Sequence, residues 1–171
     1  MHARSVIQFW EEAREADLEV CIDGGWAVDA LLGKQTRRHK DLDIALPASR
    51  VLDLRSLLDA QGYVEIPQHD TWEHNFVLQA PNGNTIDVHS YALHPDGRSK
   101  FGCTYTADQL NGTGVILGTH VRCVPPRWLV AFHAGYELAE KDWQDVRQLC
   151  AKFDIEIPKI YEQFARLDDN H

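Results

Sequence analysis

Residues 24–46 read GGWAVDALLGKQTRRHKDLDIAL, and the fold turns on how the end of this stretch is read. DLDIAL (41–46) alternates acidic and apolar residues before Pro47, the pattern of a β-strand. Residues two apart on a strand share a face, so Asp41 and Asp43 project together while Leu42, Ile44 and Leu46 point the other way. Two carboxylates held this close repel, and something positive normally sits between them. Spacing alone leaves two readings open. One is a solvated acidic face that discourages edge pairing. The other is a site for a divalent cation such as Mg²⁺, which takes one or two carboxylates and completes its shell with water and phosphate oxygens. Upstream, Gly24 and Gly25 separate LEVCID (18–23), read as a strand, from WAVDALL (26–32), read as a short helix stopped by Gly33. Bare backbone N–H groups at such a helix start can approach a phosphate. A tight turn is the plainer explanation of a glycine pair.

The rest of the chain supplies the elements around this stretch. Val6, Ile7, Trp10 and Ala13 recur at helical spacing in residues 4–17, an amphipathic first helix. Val51, Leu54, Leu57 and Leu58 mark a second between Ser49 and Ala60, with Gly62 beyond its end. A strand is expected around YVEI. HNFVLQA and TIDVHSY flank Pro-Asn-Gly-Asn (81–84), a hairpin pattern, and GVILGTHVRCV (114–124) reads as a second hairpin turning near Gly118. After Pro125-Pro126 the chain turns helical: RWLVAFHAGYELAE, DWQDVRQLCAKF and PKIYEQFARL. The expectation is an α/β (α+β) fold with a mixed β-sheet flanked by helices. A domain of residues 1–124 would carry a C-terminal helical portion, 125–171, packed on it. No repeat or flexible linker interrupts the 171 residues, and DDNH is expected to fray.

Composition narrows the classes. A 44% hydrophobic chain of this length can bury one sizeable core. Lys and Arg total 17 against 26 Asp and Glu, a formal net charge of -9, which argues against a nucleic-acid backbone as the main partner. An acidic surface suits a small cationic substrate, though simple solvation explains it as well. Cys21, Cys103, Cys123 and Cys150 form no CxxC pair and read as reduced, mostly buried thiols. The first 17 residues lack an h-region and no apolar run approaches membrane-spanning length, so a cytoplasmic, soluble protein is expected.

Taken together, "GGWAVDALLGKQTRRHKDLDI", "TIDVHS", "FHAGYE" and "KDWQDVRQLC" resemble the DNA polymerase β-like nucleotidyltransferase superfamily, in which a Gly-Gly turn precedes paired acids and a third acid lies on a neighbouring strand. Within it the chain looks most like the lincosamide nucleotidyltransferases, and it is also similar to the aminoglycoside 2''-nucleotidyltransferases. The resemblance spans nearly the whole chain. It implies Mg²⁺-dependent transfer of a nucleoside monophosphate, AMP from ATP foremost, to a hydroxyl of an antibiotic with release of pyrophosphate. Two Mg²⁺ ions would be bound by Asp41 and Asp43, and Gly24 and Gly25 would let the triphosphate approach the backbone. A homodimer would be in keeping with such families.

Asp87 completes the expected set. Alternation in TIDVHS puts Thr85, Asp87 and His89 on one face and Ile86 and Val88 on the other. If the apolar face covers the same core as Leu42 and Ile44, Asp87 emerges beside Asp41 and Asp43. There it can bind the metal or take the proton from the attacking hydroxyl, the ligand role first and His89 an alternative base. Arg37 and His39 either touch phosphates or brace the carboxylates, whereas Lys34, Arg38 and Lys40 fit a solvent-facing loop. Lys141 can reach the phosphates from the helical portion, although its spacing from Asp145 is that of a surface ion pair. Asp29 is read as capping or orienting the glycine turn. His133 fits a packed helix face, and Trp72 and Trp143 either fill a core or stack on a base or sugar. Competing readings keep the fold but transfer to a protein or a tRNA end, or bind nucleotide without transferring it. A metal-dependent hydrolase lacks its HExxH spacing.

Overall fold

In the computed structural model, residues 1–134, 140–161 and Phe164 are described. The elements are α1 (Ala3–Glu15), β1 (Cys21–Ile22), α2 (Gly24–Leu32), β2 (Asp41–Pro47), α3 (Val51–Asp59), β3 (Val64–Ile66), β4 (Asn75–Gln79), β5 (Thr85–Leu93), β6 (Ser99–Gly102), β7 (Gly112–Ile116), β8 (Thr119–Cys123), α4 (Pro126–His133) and α5 (Glu140–Phe153), with three single 3₁₀ turns between or after them. Eight strands form one mixed sheet in the order β3-β4-β5-β2-β1-β8-β7, and β6 adds to β5.

The centre of the sheet is the parallel pair β2 and β5, in which Asp41 faces Thr85, Leu42 faces Ile86, Asp43 faces Asp87 and Ile44 faces Val88. The alternation read from sequence is therefore the observed one. Leu42, Ile44, Ile86 and Val88 are fully buried, and Val6, Phe9 and Ala13 of α1 and Leu54 and Leu58 of α3 join the same core. The Pro-Asn-Gly-Asn hairpin joins β4 to β5 with Gly83 at φ +85°, and β7 and β8 turn through Leu117 and Gly118, both at positive φ. Each turn takes the left-handed backbone that its glycine admits.

Several boundaries differ from expectation. LEVCID contributes only Cys21 and Ile22 to the sheet, because Leu18 and Val20 spend their N–H groups on the carbonyls of Ala13 and Leu18. The helix expected at 26–32 begins at Gly24, so both glycines belong to its first turn. β6 was not foreseen. It pairs with the far end of β5, where Gly102 at φ +83° passes so close to the Ser90 carbonyl that a β-carbon would overlap it. RWLVAFHAGYELAE is helical from Pro126 to His133, and its remainder over 135–139 lies outside the described residues. PKIYEQFARL is a 3₁₀ turn at Lys159–Tyr161, with 162–163 and 165–167 likewise outside them. Helix α2 packs on β2, β7, β8, α4 and α5, so its N-terminus overhangs the acidic face of β2. Among the described residues no helix is long and apolar enough to cross a membrane.

Candidate active site

Asp41 and Asp43 stand on one face of β2 with Asp87 beside Asp43 on β5, as the register requires. All three are partly exposed while their neighbours along each strand are buried. The start of α2 closes over this face. Gly24, at φ +56°, lies so near Asp43 that a β-carbon would overlap its Oδ2, and a β-carbon on Gly25 would run into the His39 ring and the Arg37 guanidinium. The glycine pair therefore brings the helix start and the carboxylate together. Asp23 caps the helix, its side chain accepting the Gly24 N–H at 2.7 Å.

The intervening loop is held from two sides. Asp29 does not reach the glycine turn; its Oδ1 accepts from the Thr36 N–H at 2.9 Å and the Thr36 hydroxyl at 2.7 Å, and its Oδ2 meets His39 Nε2. His39 is buried, with its ring 4.7 Å from that of Trp26. Arg37 braces a carboxylate, but not one of the three. Its Nε and Nη2 donate to both oxygens of Asp145 on α5, the shortest bond 2.7 Å. Asp145 is fully buried and also lies 3.8 Å from His133 Nε2, which corrects the expected Lys141–Asp145 surface pair. Lys141 is instead exposed at the cavity, where its charge opposes the raised pKa of Asp43.

These groups line a cavity of about 280 Å³ that includes Gly24, Gly25, His39, Asp41, Asp43 and Lys141. Burial, then the charges of Asp41, Asp23 and Asp87, push the Asp43 carboxyl well above the usual carboxylate range. Asp43 keeps some surface at the cavity floor, yet protein packed around it removes most of its hydration. Asp87 is raised too, by burial first and by Asp41 and Asp70, with His89 pulling the other way. Its Oδ1 is buried without a hydrogen-bond partner among the described residues, and His89 Nε2 is 3.5 Å away.

Among the described residues no three His, Cys, Asp or Glu side chains are gathered tightly enough to hold a metal ion alone, so the expected convergence of three carboxylates on one ion is not formed. The donor set still fits a hard cation. It consists of carboxylates, with Asp43 and Asp87 at opposed register positions and both raised by burial first and by neighbouring acids second.

Beyond His89 lies a second, shallower groove of about 360 Å³ lined by Trp72, Asn75, Cys103, Tyr105 and Phe132. Trp72 is half exposed and held by a backbone bridge to Asn75, while Trp143 is buried and stacks on Tyr161. Asp23, Tyr105 and Phe132 went unrecognised in the sequence. Only Asp23 carried a usable sign, an acid immediately before a helix.

A mixed sheet with acids at paired register positions beneath a glycine-started helix defines a nucleotidyltransferase. Residues 5–149 match the model of the aminoglycoside-2''-adenylyltransferase family, and the chain belongs to that family. It is 40% identical to a 2''-aminoglycoside nucleotidyltransferase of Klebsiella pneumoniae over 148 residues, covering 80% of this chain and 76% of the relative. It is 31% identical to a lincosamide resistance protein of Staphylococcus haemolyticus over 135 residues, covering 75% and 81%. Its fold is that of the lincomycin-bound lincosamide antibiotic adenylyltransferase LnuA, with TM-score 0.74, 24% identity and coverage of 85% and 94%. The fold also matches ANT(2'')-Ia in complex with adenylyl-2''-tobramycin, with TM-score 0.73, 21% identity and coverage of 88% of each chain.

Proposed function

We propose that this protein transfers AMP from ATP to a hydroxyl of a lincosamide antibiotic and releases pyrophosphate. The observation that carries the reading is the placement of Asp41, Asp43 and Asp87 on one face, under the N-terminus of α2. The acceptor oxygen attacks the α-phosphorus, the bond from that phosphorus to the pyrophosphate oxygen breaks, and the hydroxyl proton passes to Asp87 or its neighbour His89. Asp41, Asp43 and Asp87 would hold two Mg²⁺ ions, which when bound neutralise the triphosphate and favour the alkoxide. Gly24 and Gly25 would let the triphosphate approach the first turn of α2, the Gly25 N–H facing it because that of Gly24 is held by Asp23, and Lys141 would reach the phosphates from across the cavity. Arg37 and His39 act at one remove: Arg37 fixes α5, and His39 fills the space beside Gly25.

The division at residue 124 separates two tasks. The part before it carries the acids, and the helical part after it supplies Lys141 and the Phe132 wall. The groove beside His89 supports the lincosamide acceptor, because Trp72, Tyr105 and Phe132 suit a partly apolar sugar with a single amine. An aminoglycoside acceptor is the second reading, supported by the family model and the 40%-identical relative. Mass spectrometry of lincosamides and aminoglycosides incubated with protein, Mg²⁺ and each NTP tests both. An adduct of AMP on a lincosamide is expected; adducts confined to aminoglycosides would replace the acceptor, and none on any antibiotic would end the proposal.

A further inference from the structure

Among the described residues, His89 on β5 and Phe132 on α4 line both the nucleotide cavity and the groove beyond it. Tyr105 joins the two: its hydroxyl oxygen lies 3.4 Å from His89 Nδ1, and its ring meets that of Phe132 edge-on at 6.1 Å. Tyr105 is itself buried, packed on Tyr91 at 5.7 Å and donating to Asp23 Oδ2 at 2.7 Å, so the seam between cavity and groove has a fixed back wall. The turn of α4 puts a ring at its front. Leu129, Val130 and His133 are buried against the core, and Phe132 is left half-buried beside them. The described residues lining the nucleotide cavity are otherwise charged, histidine or glycine, and Phe132 is their one apolar side chain.

With the nucleotide over the acids, the attacking oxygen approaches the α-phosphorus from the groove, in line with the leaving pyrophosphate. A water standing there would have the Phe132 ring on one side, where it finds no hydrogen-bond partner. An acceptor hydroxyl is carried to the same place by the sugar or hydrocarbon that rests on the ring. We infer that Phe132 is a specificity-determining residue, which selects the antibiotic hydroxyl over water as the group that receives AMP. In the reaction it suppresses, a water oxygen bonds to the α-phosphorus and the bond from that phosphorus to the pyrophosphate oxygen breaks. The products are AMP, pyrophosphate and a proton released to solvent. Shielding a reactive donor from hydrolysis is a general consequence of keeping water out of a site. The inference rests on the nucleotide site proposed above, and not on which antibiotic is the acceptor.

Phe132→Ala opens the seam, and circular dichroism with thermal unfolding establishes that it folds. The protein is incubated with Mg²⁺ and ATP labelled at the α-phosphorus, and chromatography separates ATP, AMP and any adduct, with Asp43→Asn as the background. Without antibiotic, Phe132→Ala should release AMP about tenfold faster than the wild type. With any antibiotic that the wild type modifies, the ratio of AMP to adduct should rise by a similar factor. A purely structural defect would lower both products together and leave that ratio unchanged. If Phe132→Ala does not fold, Phe132→Leu replaces it: the shorter side chain keeps an apolar contact with the core, and a smaller rise of the same sign is expected. AMP release that is equal in wild type and folded variant, or absent from both, overturns the inference, as does an unchanged ratio. A wild type that modifies no antibiotic counts against the proposed function, and AMP release without antibiotic still decides this inference.

Discussion

At Asp43, burial and three neighbouring carboxylates push in one direction, and Lys141 pushes back. The ionised form is therefore disfavoured in the folded, metal-free protein relative to the unfolded chain. A carboxyl whose folded pKa is raised contributes stability that is fully present below the ordinary range near 4 and is lost as pH rises through the folded value. Asp87 acts with the same sign. In EDTA, Asp43→Asn should thus unfold at a higher temperature than the wild type at pH 8, with the gap closing near pH 4, while transfer is abolished. A gap that stays constant with pH, or an active variant, would count against a site built on repelling acids. Gly24 makes the complementary case. Its positive φ and the overlap that a β-carbon would make with Asp43 mean that Gly24→Ala must either move the helix start or displace the carboxylate. A loss of about 1–3 kcal/mol is expected, read by denaturant unfolding, together with loss of transfer.

Helix α5 illustrates the next scale, because two of its side chains tie it to α2 and to the loop that follows α2. Asp145 takes the fork of Arg37, and Lys152 Nζ donates to the Leu31 and Leu32 carbonyls at 2.9 and 3.1 Å, closing the C-terminal end of α2. Replacing Arg37 by Met leaves the buried Asp145 carboxylate facing only His133 among the ion pairs of the described residues. The guanidinium is partly exposed, so the cost should fall below that of a fully buried pair, about 1–3 kcal/mol. Arg37→Lys should recover little of it, since an ammonium cannot offer two parallel N–H groups. Full recovery of stability and ATP KM in Arg37→Lys would show that charge alone matters. This clamp also marks where sequence reading stopped. The hairpins, the DLDIAL strand and the face shared with Asp87 were legible because turn chemistry and a period of two are local properties. Asp145 looks like a solvent-facing acid in DWQDV, and the partner that accompanies its burial is Arg37, 108 residues away. β6 escaped notice because SKFG has no alternation and forms only against β5. Asp23 and Tyr105, 82 residues apart, meet through long-range packing that no motif records.

Across the whole molecule the remaining choice is the acceptor, and net charge and local groove chemistry bear on it differently. A net charge of -9 raises the local concentration of any cation, most of all a polycation. The groove beside His89 is lined by the rings of Trp72, Tyr105 and Phe132, however, and among the described residues lining it there is no carboxylate to hold several amines at once. Trp72 is an exposed wall of it, half open to solvent yet fixed by the bridge to Asn75 and by edge-on contact with His74 at 5.0 Å. A ring held this way presents a flat apolar face at small entropic cost, which suits a sugar or hydrocarbon surface. Trp72→Ala should therefore raise the lincosamide KM about tenfold, as burial of part of an indole is lost, and leave the ATP KM unchanged. Ionic strength supplies an independent measure. With one amine, a lincosamide should lose only a few-fold in kcat/KM as salt rises from low to physiological levels, whereas an aminoglycoside held by the acidic field should lose far more. If Trp72→Ala leaves the acceptor KM untouched and kcat/KM collapses with salt, the groove is not the acceptor site and field attraction of a polycation takes its place.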